Sequence, residues 1–220
     1  MEPAAGGWSR LVERVLGELD ADASKTARDG IDGWLRALDA WRGKVDLTAA
    51  RSPDELVDLM LADAVVLARH IPDRATVVDV GTGAGAPGLP LALLRPDLRV
   101  TLVEPKHKRA VLLRTVLGRF AVGANGLLSV EVVQARAEQL PGRVFDVAVS
   151  RATLAPVDWL ALGTSLAPAG EVWVLLARQA NPEIEGWTTE VDLEYRWPLT
   201  GARRRAVCYR NTFAGDGATR

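Results

Sequence analysis

Cysteine and histidine are nearly missing from this chain, and each scarcity removes a class of chemistry. One cysteine, Cys208, cannot close a disulfide within the chain, and no cysteine cluster is present to hold zinc. That usage is compatible with a reducing cytoplasm, where the protein is expected. With two histidines in 220 residues, a histidine base is poorly supported and no metal-ligand cluster is visible. Charge of one sign is lacking too. The 27 basic and 28 acidic side chains leave a net charge of −1, so any RNA contact has to use a local patch. Apolar runs such as 172–177 are far too short to cross a bilayer, and residues 1–11 do not read as a signal peptide. No repeat or low-complexity segment appears. A monomer is the simplest expectation, with one sizeable domain and an appendage.

What is present begins with helices. Leu11, Val12, Val15, Leu16 and Leu19 share one face of a weakly amphipathic helix within residues 1–22. After a polar stretch over 20–30, Ile31, Trp34, Leu35, Leu38 and Trp41 follow helical spacing, so these tryptophans read as packing residues. Ser52-Pro53-Asp54-Glu55 is a capping box with proline in the first turn, opening a helix that carries Leu56, Leu59, Met60, Val66 and Leu67 and stops near His70-Ile71-Pro72. From residue 76 the pattern changes to strand–helix alternation, with strands expected over 76–80, 99–103, 128–133, 145–149 and 172–176. Two more strand candidates, 191–197 and 205–209, flank a turn over 198–204. The expected fold is α/β: a Rossmann-like, doubly wound, mostly parallel sheet with a C-terminal antiparallel hairpin. Residues 1–72 form a helical extension to a domain over 73–220.

The central stretch is Val77-Val78-Asp79-Val80-Gly81-Thr82-Gly83-Ala84-Gly85-Ala86-Pro87-Gly88, a buried strand followed by a glycine turn and a helix start. Gly81, Gly83 and Gly85 let the backbone come close to a ligand, and the helix behind aims free N–H groups at it. Asp79, two residues before the first glycine, suits a ligand bearing an ammonium, which points to S-adenosylmethionine (SAM). The same glycines also fit the dinucleotide pattern, but the Asp79 charge would repel a pyrophosphate and Gly85 is not called for by that pattern.

In such sheets ligands sit at the carboxyl ends of the strands. Glu104 ends the second strand, 23 residues after Gly81, where an acid accepts from both ribose hydroxyls. Gln134-Ala135-Arg136-Ala137-Glu138 ends the third, beside the expected adenine edge. Ser150-Arg151-Ala152 ends the fourth and places Arg151 over cofactor or substrate. Two basic clusters, Lys106 to Arg109 with Arg114 and Arg203 to Arg205, could meet phosphate. After the fourth strand there is neither an Asn/Asp-Pro-Pro-aromatic motif, which exocyclic-amine methylation uses, nor a cysteine for C5 methylation of pyrimidines. A nucleophile that needs no deprotonation, such as guanine N7, fits what remains, with alignment and water exclusion as the main tasks.

With these residues in view, the chain resembles the RsmG (GidB) family of bacterial methyltransferases, which form N7-methylguanosine in 16S ribosomal RNA of the small subunit. The likeness runs from about Trp34 to Val207 and is strongest at the segment from Asp79 to Leu91, the Lys108-Arg109 pair, Arg136-Ala137-Glu138 and Ser150-Arg151-Ala152. The resemblance implies SAM contacts at Gly81, Ala86, Ala137, Glu138 and Arg151, with Glu104 as the ribose-binding acid. Departures fall on the presumed RNA side: Asp46 stands where the family has Asn, Leu59-Met60 where it often has Arg-His, and Leu176-Ala177 where it often has Lys-Gly, with Arg178 nearby. Ala86 replaces a larger apolar residue. Alternatives are therefore a SAM-dependent methyltransferase of a small molecule, or a SAM- or RNA-binding assembly factor without turnover.

Overall fold

A computed structural model describes residues 7–41, 47–123, 128–140 and 142–212; Asp46 lies outside them. Seven strands form one sheet in the order β3-β2-β1-β4-β5-β7-β6. They are β1 (Thr76–Val80), β2 (Arg99–Val103), β3 (Ser129–Val133), β4 (Val147–Arg151), β5 (Glu171–Leu176), β6 (Trp187–Arg196) and β7 (Arg203–Asn211). The first five pair in parallel, and β7 enters antiparallel between β5 and β6. Strand order reverses between β1 and β4, so a crevice opens where the loops after these two strands diverge.

Side-chain alternation sorts the core onto two faces. Val77, Val147, Val149 and Trp173 pack against helices α1 (Gly7–Glu18), α2 (Lys25–Trp41), α4 (Asp63–Ala68), α5 (Gly88–Leu94) and α6 (His107–Gly123). Val78, Val80, Ala148, Val172 and Val174 turn to the other face, covered by α7 (Pro156–Leu166) and a 3-10 turn, Ala137–Gln139. The N-terminal helices share the first of these cores: Trp8, Val12, Ile31, Trp34 and Leu38 are buried in it with residues of β1, β4 and β5.

Several boundaries differ from the sequence reading; β6, for one, begins at Trp187 rather than 191, and β7 runs on to Asn211. Helix α2 begins at Lys25, inside the polar stretch, because the Ser24 hydroxyl accepts from the Ala27 amide and caps it. Strand β4 lies two residues later than expected. Phe145 and Asp146 donate to Leu166 and Thr76 carbonyls before the strand begins, and Arg151 becomes its last residue. The final turn is shorter, closed by Trp197 N to Ala202 O and Gly201 N to Trp197 O, so Arg203, Arg204 and Arg205 open β7.

The helix opened by Ser52 is broken in a way that periodicity did not reveal. Its α-helical start, α3 (Pro53–Val57), gives way to a π-helical turn over Asp58–Ala62 before α4. Buried carboxylates flank that turn. At 100° per residue, positions five apart lie about 140° apart on an α-helix, yet Asp58 and Asp63 both meet the C-terminal hairpin. Such wide turns are frequent at functional sites. Asp58 accepts from Leu199 N, Thr200 N and Thr200 Oγ1, at 2.8 to 3.1 Å, and burial pushes its carboxyl pKa up in spite of those bonds. Asp58→Ala orphans all of these donors, so urea unfolding is expected to show a loss of about 2–3 kcal/mol; a loss below about 0.5 kcal/mol would remove Asp58 as the hairpin's anchor.

Candidate active site

The glycine turn is braced from three sides. From β2, the Val103 carbonyl accepts from Gly81 N and Thr82 N. From α2, Trp34 Nε1 donates to Ala84 O at 3.0 Å, so this packing residue also pins the turn. From beneath, Asp79 Oδ2 accepts from Thr82 Oγ1 at 2.6 Å and Gly88 N at 2.8 Å. Gly88 is required there, since a Cβ would lie 2.8 Å from the Asp79 side chain. Glu104 is also buried, with one oxygen accepting from Gly83 N and the other from Lys106 N.

Asp79 is fully buried, and its other oxygen, Oδ1, has no hydrogen-bond partner among the described residues. Burial pushes its carboxyl pKa up to about 6, against the pull of Thr82, Gly88 and the Arg151 charge. An orphaned carboxylate oxygen behind a glycine turn fits a cationic ligand group, as the ammonium of SAM requires.

The residues named from sequence divide between two cavities and the structure behind them. A cavity of about 460 Å³ lies over the ends of β1, β2 and β3, lined by Gly81, Lys106, Arg136, Ala137, Glu138 and Leu162 among others. A second, of about 180 Å³, lies over β4 and β5, lined by Asp63, Arg151, Trp159, Leu176, Tyr195 and Arg204 among others. Thr153 and Leu154 line both, so the loop after β4 is the wall between them. Gly83 is half-buried in the turn, while Asp79, Gly85, Ala86 and Glu104 are buried behind it, and none of the five lines either cavity.

Arg151 sits in a network that the sequence did not announce. Its Nη1 donates to Asp63 Oδ2 at 2.8 Å and to Leu59 O. Asp63 Oδ1 accepts from Tyr195 Oη at 2.7 Å and Trp197 Nε1 at 2.8 Å, and the Arg204 guanidinium stacks 3.6 Å over the Trp197 ring. Burial, then the Asp63 charge, pushes the Tyr195 phenol well up, so it remains a donor. The one available signal was a pair of carboxylates, Asp58 and Asp63, in a stretch from Leu56 to Ala68 that is otherwise apolar.

Of the first basic cluster, Lys106, His107 and Lys108 are exposed, and Lys106 lines the first cavity together with the exposed Arg136 from the end of β3. Arg205 is bound to Asp192, Arg203 is exposed, and Arg178 is exposed beyond β5. Cys208 is buried and unpaired, and burial pushes its thiol up, so it serves the core. Among the described residues no group of three or more metal-ligating side chains occurs, and no helix is long and apolar enough to cross a membrane.

Comparison with known proteins places this geometry. Residues 29–201 match the family GidB, described as rRNA small subunit methyltransferase G. The chain is 37% identical over 177 residues to the ribosomal RNA small subunit methyltransferase G of Halorhodospira halophila, covering 80% of this chain and 81% of that protein. To the protein of the same name in Myxococcus xanthus it is 33% identical, covering 77% and 81%. In fold it is similar to the crystal structure of a TehB-like SAM-dependent methyltransferase from Corynebacterium glutamicum, with a TM-score of 0.52, 15% identity, and coverage of 81% and 97%.

Proposed function

The chain belongs to the GidB family, the rRNA small subunit methyltransferases G, and from that premise we propose that it methylates N7 of a guanosine in 16S ribosomal RNA, with SAM as donor. A ribosomal substrate implies a cytoplasmic location. The observation that carries the reading is two cavities meeting at one wall, Thr153 and Leu154, at the switch point of the sheet. The larger takes the adenosine of the cofactor and the smaller the target base.

SAM, when bound, supplies an electrophilic methyl on a sulfonium; the N7 lone pair forms the new bond, the carbon–sulfur pair stays on sulfur, and no proton moves at the attacking atom. The protein's tasks are then binding, alignment and exclusion of water. Each Glu104 oxygen, already holding one backbone N–H, keeps a lone pair for a ribose hydroxyl. Gly81, Ala137 and Glu138 bound the adenosine space, and the orphaned Asp79 oxygen takes the positive end of the amino-acid moiety. Gly83, Gly85 and Ala86 shape the turn between them. Arg151, from the second cavity, orients the base. Lys106 and Arg136 at the rim suit RNA phosphates.

Asp79 gives this scheme a pH signature. Its pKa in the folded chain, about 6, lies above the ordinary 3.8, so its contribution to stability is complete below the ordinary value and lost as pH rises through about 6. Relative to Asp79→Asn, the ligand-free wild type is expected to lose roughly 3 kcal/mol over that interval. SAM affinity runs the other way, falling about tenfold per pH unit below 6 as the carboxylate is protonated. Calorimetric titration from pH 5 to 7.5 measures this, and a flat affinity would show that Asp79 does not meet the ligand's charge.

Deleting the gene tests the function itself. Nucleoside analysis of small-subunit RNA should lose one N7-methylguanosine, regained on return of the wild-type chain; an unchanged nucleoside profile would refute the assignment.

A further inference from the structure

The second cavity contains more than a positively charged side chain, because Arg151 is held at one of its three nitrogens. Its side chain is 16% exposed and that of Asp63 is 2% exposed. Nη1 is bound by Asp63 Oδ2 and Leu59 O, while Nε and Nη2 have no partner among the described residues. Asp63 is fixed in turn, since its second oxygen is taken by Tyr195 and Trp197. Helix α4, strand β4 and the C-terminal hairpin thus meet at one carboxylate, which lines the cavity together with the arginine.

We propose that Asp63 is a positioning residue: it clamps one nitrogen of Arg151 so that the remaining donors face the small cavity and select guanine through its O6. This rests on the guanine-N7 reading above.

The chemistry follows from the edge that carries N7. Guanine presents two acceptors there, N7 and O6, whereas adenine presents the N7 acceptor beside an amino donor. N7 must keep its lone pair for the methyl carbon, which leaves O6 for recognition. A guanidinium has only donors, so it bonds O6 and opposes the adenine amino group. Its charge alone would be a poor choice, because the base becomes positive as the methyl arrives. The Asp63 carboxylate, 2.8 Å from Nη1, compensates that charge while leaving the donors in place. One residue therefore fixes both the direction of the donors and the local charge balance.

The test is steady-state kinetics of the full-length chain on small subunits from cells lacking this enzyme, with nucleoside analysis of the product. Asp63→Asn keeps size and polarity, and is expected to lower kcat about a hundredfold, the scale of a misplaced orienting group, with KM for subunits and the SAM Kd within about threefold of wild type. Asp58→Asn, which loosens the same hairpin without lining the cavity, is expected to lower the melting temperature and keep kcat. If both variants lose kcat equally, Asp63 only fastens the hairpin and the proposal falls; it also falls if Asp63→Asn turns over normally. Should Asp63→Asn fail to fold, Arg151→Lys still decides: it keeps the charge but loses the fork, and unchanged turnover would overturn the proposal. A wild-type product other than N7-methylguanosine overturns the functional reading and this inference together. The expected product with unaffected variants overturns the inference alone.

Discussion

An Arg151→Ala enzyme is expected to lose turnover by about two to three orders of magnitude while its affinity for SAM changes much less. The arginine lines the smaller cavity, whereas the glycine turn and Ala137 to Glu138 lie at the larger one, so removing its donors acts mainly on orientation of the base. Stability should fall as well. Asp63 would lose its charged partner in a site where its side chain is 2% exposed, and breaking a buried pair costs about 3–5 kcal/mol. The low end is expected, because Tyr195 and Trp197 continue to donate to Asp63. Comparing kcat with calorimetric SAM affinity checks the division of labour. Equal losses in both would place Arg151 on the cofactor.

Substitution of Gly81 should be the most damaging single change to cofactor binding. Its φ is +68°, a left-handed conformation that costs an ordinary residue about 1–2 kcal/mol. A Cβ there would stand 2.2 Å from Thr153 Oγ1 and 2.4 Å from its Cγ2. Thr153 cannot easily retreat, since its hydroxyl donates to Val80 O and it belongs to the wall between the cavities. Gly81→Val is therefore expected to abolish measurable SAM binding and to cost roughly 2–5 kcal/mol, conformational strain and overpacking together. Gly142→Ala isolates the first part, because its φ is +71° and nothing lies within 4 Å of the added Cβ. That variant should lose only about 1–2 kcal/mol and retain binding. Wild-type SAM affinity in Gly81→Val would mean that the turn is not the cofactor cradle.

These contrasts also show what a sequence can carry. The parallel strands were legible because residues buried on both faces read as short apolar runs between turn signals, as at Val172 to Leu176, with Asp79 the one charge within the run from Val77 to Val80. The glycine turn was legible because its spacing is a local backbone requirement. Glu104 could be placed by its distance along the chain from Gly81. Trp34 was read as packing, which it is, but its indole bond to Ala84 O crosses 50 residues and leaves no local trace.

Asp63 was harder still. Its partners Tyr195 and Trp197 are 132 and 134 residues away, and the only local trace is a carboxylate on the apolar stripe, three, four and seven residues after Met60, Leu59 and Leu56. The π-helical turn before it lets Asp58 meet the same hairpin, although the two carboxylates would stand about 140° apart on an α-helix. The departures at Leu59-Met60 fall in this same turn. In place of long basic side chains there, the Leu59 carbonyl receives Arg151, while Met60 is buried in the core. The polar groups of this site come instead from Asp63, Tyr195 and Arg204.

The decisive measurement is transfer of label from methyl-labelled SAM to small subunits purified from cells lacking this enzyme, followed by digestion to nucleosides. Label is expected in N7-methylguanosine with the wild-type chain, and its near-complete loss with Arg151→Ala. Normal SAM binding with no label in any nucleoside of that RNA would rule out 16S ribosomal RNA as the substrate.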